Sequence, residues 1–233
     1  WSQTVMAPLI NAGLLLMIFT IAIGSRRGDV MGVPFLEFIA PGILTMTVIQ
    51  NAFANTSSSI ASAKVQGNIV DTLMPPLSPV ELLVGYLAGA VARGLMVALV
   101  IAIGAWMFLD VPWPHPLWSL TFVVAGSVVL GGLGMIGGIY ANKFDQLAAI
   151  TNFLITPLAF LSGTFYWIEA LPPALQTFSH LNPFFYMIDG VRYGAIGVSD
   201  SSPWLGLVVV LCAAVVILGM VWIWLKRGYR LKA

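Results

Sequence analysis

Apolar residues in this chain are gathered into long runs, with polar residues confined to short breaks between them. Six runs reach the ~20 residues that a helix needs to cross a bilayer. They lie at roughly 5–23, 38–61, 82–109, 117–140, 147–166 and 205–225. The third is the longest and can tilt or project past the lipid on one side. Between the fifth and sixth, residues 167–200 are too apolar for a free loop and too interrupted for a clean span. Pro172-Pro173 introduces a short helix over 173–181, and Asn182-Pro183 supplies a capping side chain followed by proline in the first turn of another. Broken helices at membrane depth persist only when buried in protein or lining water, so this pair reads as re-entrant or interfacial. Trp167 and Tyr186 suit the membrane boundary. Asp189 and Arg192, three apart, can pair on one helical face.

The polar exceptions carry the rest of the reading. Residues 62–81, SAKVQGNIVDTLMPPLSPVE, form an island between the second and third runs. Val65, Ile69 and Leu73 recur every fourth residue, which predicts a short helix from Lys64 to Leu73 lying along the membrane surface. Lys64, Asn68 and Asp71 then face water, and Pro75-Pro76 stops the helix. Such an element can dock into another protein or simply rest on headgroups. In the second run, Thr47, Asn51, Asn55, Ser58 and Ser62 fall on one face, with Gln50 at its border and Val48, Phe53 and Ile60 elsewhere. Amides facing lipid would leave donors and acceptors unpaired, so the stripe must face protein or a wet cavity. Interhelical bonding and the lining of a path both satisfy that demand. Arg93 lies within the third run, where a charge is costly and marks a functional candidate. If that helix projects from the membrane, Arg93 falls in the inner leaflet and can snorkel or pair with a carboxylate. The pairs Gly85-x-x-x-Gly89 and Gly134-x-x-x-Gly138 permit close helix approach, though chance matches are expected among 23 glycines.

Composition agrees with the run pattern. With 59% hydrophobic and 8% charged residues, the chain has too few charges to cover a water-soluble surface, so it reads as an integral membrane protein. A net charge of +1 gives no reason to expect a nucleic-acid partner. Cys212 is the sole cysteine, which excludes an internal disulfide. Because the chain opens at Trp1 and enters an apolar run almost at once, a preceding segment is expected, and no basic start marks a signal peptide. Basic residues gather on cytoplasmic connections. Placing both ends inside puts Lys64, Lys143, Lys226, Arg227, Arg230 and Lys232 in the cytoplasm, against Arg26, Arg27 and Arg192 outside. That orientation makes 62–81 the longer of two cytoplasmic connections.

Three long patterns carry a family resemblance. GNIVDTLMPPLSPVELLVGY resembles the cytoplasmic coupling segment of ABC-2 transporter permeases. LPPALQTFSHLNPFFYMIDGVRYGAIG is similar to that family's signature before the last span. FIAPGILTMTVIQNAFANTSSSIASAKVQGNI resembles the second-span region of short bacterial permeases of the YadH-like branch. The resemblance covers essentially the whole chain, 1–233, as one transmembrane domain, but lacks the family's front amphipathic connecting helix. It implies an all-α integral membrane protein with six transmembrane helices of the ABC-2 (type V, ABCG-like) exporter kind, a coupling helix between spans two and three, and a re-entrant pair before span six. It further implies a bacterial inner-membrane permease that pairs with a second copy, each binding a cytoplasmic ATPase subunit, with ATP and Mg2+ held by that partner and none in this chain. In that picture Lys64, Asn68, Ile69, Asp71, Leu73 and Met74 receive the stroke. Thr47, Gln50, Asn51 and Asn55 line the substrate path opposite Asn152, Phe153 and Thr156 of span five. Asn182, Phe185, Tyr186, Asp189 and Arg192 shape the outer gate.

Motif absences fit a chain without a motor. No G-x-x-x-x-G-K-[ST] occurs, and the glycine-rich GGLGMIGG lies inside an apolar run without a following Lys-Ser/Thr. No H-E-x-x-H, G-x-S-x-G or metal-spaced cysteine–histidine set appears, which disfavours an intramembrane hydrolase; Ser162 near His180 is its faintest trace. A passive channel or scaffold leaves the coupling-shaped island without a role. Few charges besides Arg93 line the runs, so an amphipathic, lipid-like or hydrophobic cargo is expected; the resemblance adds glycans and drug-like molecules as cargo, moved outward as in most of the family.

Overall fold

The computed structural model describes residues 6–22, 28–69 and 76–229, and these are helical with short connections. The elements are α1 (Ala7–Ala22), α2 (Phe35–Val65), α3 (Pro79–Leu109), α4 (Pro116–Tyr140), α5 (Phe144–Phe160), α6 (Pro173–Leu181), α7 (Pro183–Ile196) and α8 (Pro203–Arg227). Among the described residues, α2, α3, α4 and α8 are long and apolar enough to cross a membrane.

The second and third runs form longer helices than their apolar cores predict, because flanking residues are recruited at both ends of the second and at the start of the third. Helix α2 continues through Lys64 and Val65, so the expected surface helix does not start at Lys64. It ends at a turn over 66–68, where Gly67 takes φ +77°, a conformation that side chains with a Cβ resist. Val65 is exposed, not buried with Ile69 on a common face. Asp71, Leu73 and Met74 lie outside the described residues. Helix α3 begins at Pro79 instead of 82, since Ser78 and Glu81 form a capping box. The Ser78 hydroxyl accepts from the Glu81 N–H at 3.2 Å, and Glu81 Oε2 accepts from the Ser78 N–H at 2.7 Å.

Two of the six runs give shorter helices than a straight span requires. Helix α1 has 16 described residues. Helix α5 is broken into Phe144–Ile150, a wide π turn over Thr151–Ile155, and Thr156–Phe160. Pro157 explains the break: it lacks an N–H, and its ring would strike the carbonyl of Phe153 in a regular helix. The backbone widens instead, with the Thr156 N–H reaching the Thr151 carbonyl.

Helix α2 is the axis of the bundle, and α4 is its main neighbour. Val48, Ile49, Ala52, Phe53 and Ile60 are buried on the α2 side of that contact. On the α4 side, a Cβ at Gly138 would lie 2.8 Å from Ile60 Cβ and 2.9 Å from the Ser57 carbonyl, and one at Gly134 would strike the Phe53 carbonyl. The absence of side chains at these two positions is what lets the backbones meet, and Thr56 Oγ1 donates to the Gly131 carbonyl at 2.7 Å. Helix α5 is attached at the edge, burying only Leu147, Ile155 and Ala159.

Candidate functional site

The polar stripe of α2 does not point into the bundle. Val48, Phe53 and Ile60 take the buried face, and Thr47, Gln50, Asn51, Asn55 and Ser62 are left half-buried, with Ala54 and Ser58 exposed. Most of its hydroxyls are turned back onto their own helix: Thr47 Oγ1 donates to Ile43 and Ser58 Oγ to Ala54. Asn51 Nδ2 does the same to the Thr47 carbonyl at 2.9 Å, which turns Oδ1 away from α2. That oxygen accepts from Arg93 Nη2 at 3.0 Å. One turn along, Asn55 Nδ2 stands over Gly89 of α3, 3.1 Å from where a Cβ would sit.

Arg93 therefore sits beside the stripe, paired with an amide and not a carboxylate. Its height along the bundle follows from its neighbours. Ala90 meets Gly131 of α4, and Gly132 meets Ile217 of α8. Three residues further along α3 than Ala90, Arg93 stands beside the middle of α8.

 Arg93 is thus level with about residue 214, twelve residues or ~18 Å from Lys226 at 1.5 Å per residue. An arginine stem does not reach that far along the bundle. A charge at such a depth costs about 2.5–3.5 kcal/mol on insertion scales.

The α5 residues expected across from the stripe are not brought to it within one chain. Asn152 and Phe153 sit in the π turn and face outward, Phe153 with 84% exposure, and Thr156 is half-buried. The π turn rotates them off the line that a regular helix would give. The larger cavities lie elsewhere. One of about 530 Å³ between α3 and α4 is walled by Leu44, Leu99, Trp106, Leu117 and Val123 among others, and its lining offers little to a polar ligand.

Lys64, Lys143 and Lys226 share one end of the bundle, called here the basic end. Lys64 Nζ donates to the Ile139 and Ala141 carbonyls at 2.7 Å each and to Asn142 Oδ1 at 3.2 Å, closing the end of α4 with a cation. Its ammonium is bonded to the end of α4 instead of standing toward water as the surface-helix reading had it. Asn68 is exposed. Ile69 is buried in a small cluster with Ile60, Met135, Ile139 and Val221, so this connection is anchored to α2, α4 and α8 together.

At the opposite end, Asn182, Phe185, Tyr186, Asp189 and Arg192 are all buried. Asn182 caps α7 through the Phe184 N–H at 3.1 Å, while its Nδ2 donates to Leu158 at 2.9 Å and Ser162 Oγ at 2.8 Å. Ser162 Oγ itself donates to the Leu158 carbonyl, and His180 packs edge-on to Phe185, so no serine–histidine bond forms among the described residues. Arg192 Nη1 lies 3.8 Å from Asp189 and 3.4 Å from Asp200. Its Nη2 donates to the Gly163 carbonyl, and its guanidinium covers the Phe38 ring at 4.1 Å. Asp189 also accepts from the Asp200 and Ser201 N–H groups at 2.8 and 3.0 Å. Burial pushes the Asp200 carboxyl above the usual carboxylate range, and the Arg192 charge opposes that rise. Phe38, Gly163 and Asp200 are partners that spacing does not reveal, since each is brought to Arg192 by tertiary packing.

An all-helical bundle in which four of the described helices are long and apolar enough to cross a membrane has the architecture of a multi-pass membrane protein. The profile of the ABC-2 type transporter family matches residues 1–196, and the chain belongs to that family. It is 41% identical over 203 residues to the inner membrane transport permease YadH of Escherichia coli (strain K12), covering 86% of this chain and 78% of that protein. It is also similar to nodulation protein J of Sinorhizobium fredii (strain NBRC 101917 / NGR234), at 26% over 171 residues, 73% of this chain and 65% of that one. Nodulation protein J of Rhizobium leguminosarum bv. viciae is 25% identical over 203 residues, covering 84% and 78% respectively.

Proposed function

We propose that this chain is the permease half of an ATP-binding cassette exporter in a bacterial inner membrane. Two copies pair, and each binds a separate cytoplasmic ATPase that holds ATP and Mg2+. Helices α1 and α5 complete six spans, with local bilayer thinning or flanking residues making up their length. Both termini and the basic end face the cytoplasm, in keeping with the positive-inside bias. The inner-membrane setting is supported by the name of the Escherichia coli relative. The cargo is lipid-like, a glycan, or hydrophobic and drug-like.

One observation carries this reading: the amide and hydroxyl stripe of α2 is half-exposed in a single chain at mid-bundle height. Asn51 is bonded to Thr47 and Arg93, but lipid can satisfy neither the Asn55 amide nor the Arg93 charge, so a second copy or a wet path must meet that face. Closure of the ATPases would press on the connection after α2. Ile69 ties that connection to three long helices, so a push at this point moves the stripe. Affinity purification of the full chain from native membranes tests the proposal. Recovery of an ATPase chain in equal amount is expected, and a purified chain that moves cargo without one would overturn it.

A further inference from the structure

Arg93 and Arg192, the two arginines packed within the bundle, are treated differently by the fold. Arg192 is enclosed by two carboxylates, a carbonyl and an aromatic face. Arg93 has no carboxylate within ion-pair distance among the described residues. Its Nη2 is held by Asn51 Oδ1, which supplies no charge, and its buried Nε has no hydrogen-bond partner among the described residues. Asn51 is fixed in turn by its bond to Thr47, so the guanidinium is positioned without being neutralised. Asn55 adds a second amide one turn away, over the side-chain-free Gly89. The surrounding edge of α3 is open and apolar, with Ala92, Met96 and Leu99 exposed. A cation held in place by the Asn51 oxygen, with the Asn55 amide as a donor one turn away and apolar surface at its border, suits one anionic group on an apolar tail.

We propose that Arg93, with Asn51 and Asn55, is a mid-membrane recognition site for the phosphate or carboxylate of an amphiphile. That this amphiphile is cargo rests on the exporter reading; the binding site itself does not. The height of Arg93 separates the site from ordinary headgroup contact, and the apolar border separates it from a site for free inorganic phosphate.

The test is native mass spectrometry of the full chain in neutral detergent, titrated with dodecyl phosphate and, separately, dodecyltrimethylammonium. The wild type should retain one dodecyl phosphate per chain, at about tenfold or better preference over the cation, the equivalent of one hydrogen bond to a charged group. Arg93→Met should lose that preference and Arg93→Lys should keep most of it. Equal retention by wild type and Arg93→Met overturns the site, as does retention of many copies per chain, the mark of annular lipid. Displacement by inorganic phosphate at matching concentration overturns the need for a tail. If Arg93→Met fails to fold, Asn51→Ala reads the same loss of preference. Arg93-dependent retention in a chain that binds no ATPase supports the site and sinks the exporter reading, so the two fail separately.

Discussion

A charged side chain inside an apolar bundle is either enclosed or exposed to a use, and the residues around it decide which. Arg192→Met leaves Asp189 and Asp200 without their cation, and breaking a buried pair in this way costs about 3–5 kcal/mol. The expected result is loss of monodisperse protein in detergent, read by size-exclusion chromatography. Lys64→Met removes the three bonds that Lys64 makes to described residues at the end of α4, and bonds to a charged group contribute about 1.5–3 kcal/mol each when well formed. A lowered melting temperature with retained insertion is expected, measured by thermal unfolding in detergent. Asn51→Leu with Asn55→Leu should change the response of ATPase activity to cargo more than its basal rate. An equal loss of folded protein would instead assign the stripe to helix bonding. The pairing of Asp189 with Arg192 is legible from their spacing, because neighbours on one helix follow from its period. Phe38, Gly163 and Asp200 are not, because only tertiary packing brings them to Arg192.

At the scale of elements, apolar run length found the helices and misplaced several of their ends. Ser78-x-x-Glu81 was a readable capping box that moves the start of α3 to Pro79, and the apolar core alone hides it. The turn at Gly67 likewise ends α2 later than the run suggests, taking Lys64 out of the connection that follows. Pro157 announced a break in α5, whereas the π turn that accommodates it, and the outward aim of Phe153, depend on neighbours. Of the two glycine pairs, Gly134 and Gly138 make the contact between α2 and α4, while Gly85 has open space where its side chain would be. Composition could not tell them apart. Gly138→Val should force α2 and α4 apart, at the 1–3 kcal/mol typical of overpacking, and a lowered melting temperature in detergent is the readout. Gly85→Val should leave that temperature nearly unchanged.

At the scale of the whole molecule, the half-exposed stripe on α2 and the anchored connection below it belong to an object completed by other chains. Disulfide formation between copies, in a Cys212→Ser background carrying Ser58→Cys, reads both halves of that idea in native membranes. A covalent dimer should form on mild oxidation, and its yield should change when a non-hydrolysable ATP analogue is added to inside-out vesicles. Val216→Cys, on the exposed apolar face of α8, should give little dimer under the same conditions. Efficient cross-linking through Val216→Cys with none through Ser58→Cys would contradict the reading, because α8 would then form the seam between copies and leave the stripe with neither a second copy nor a path between copies.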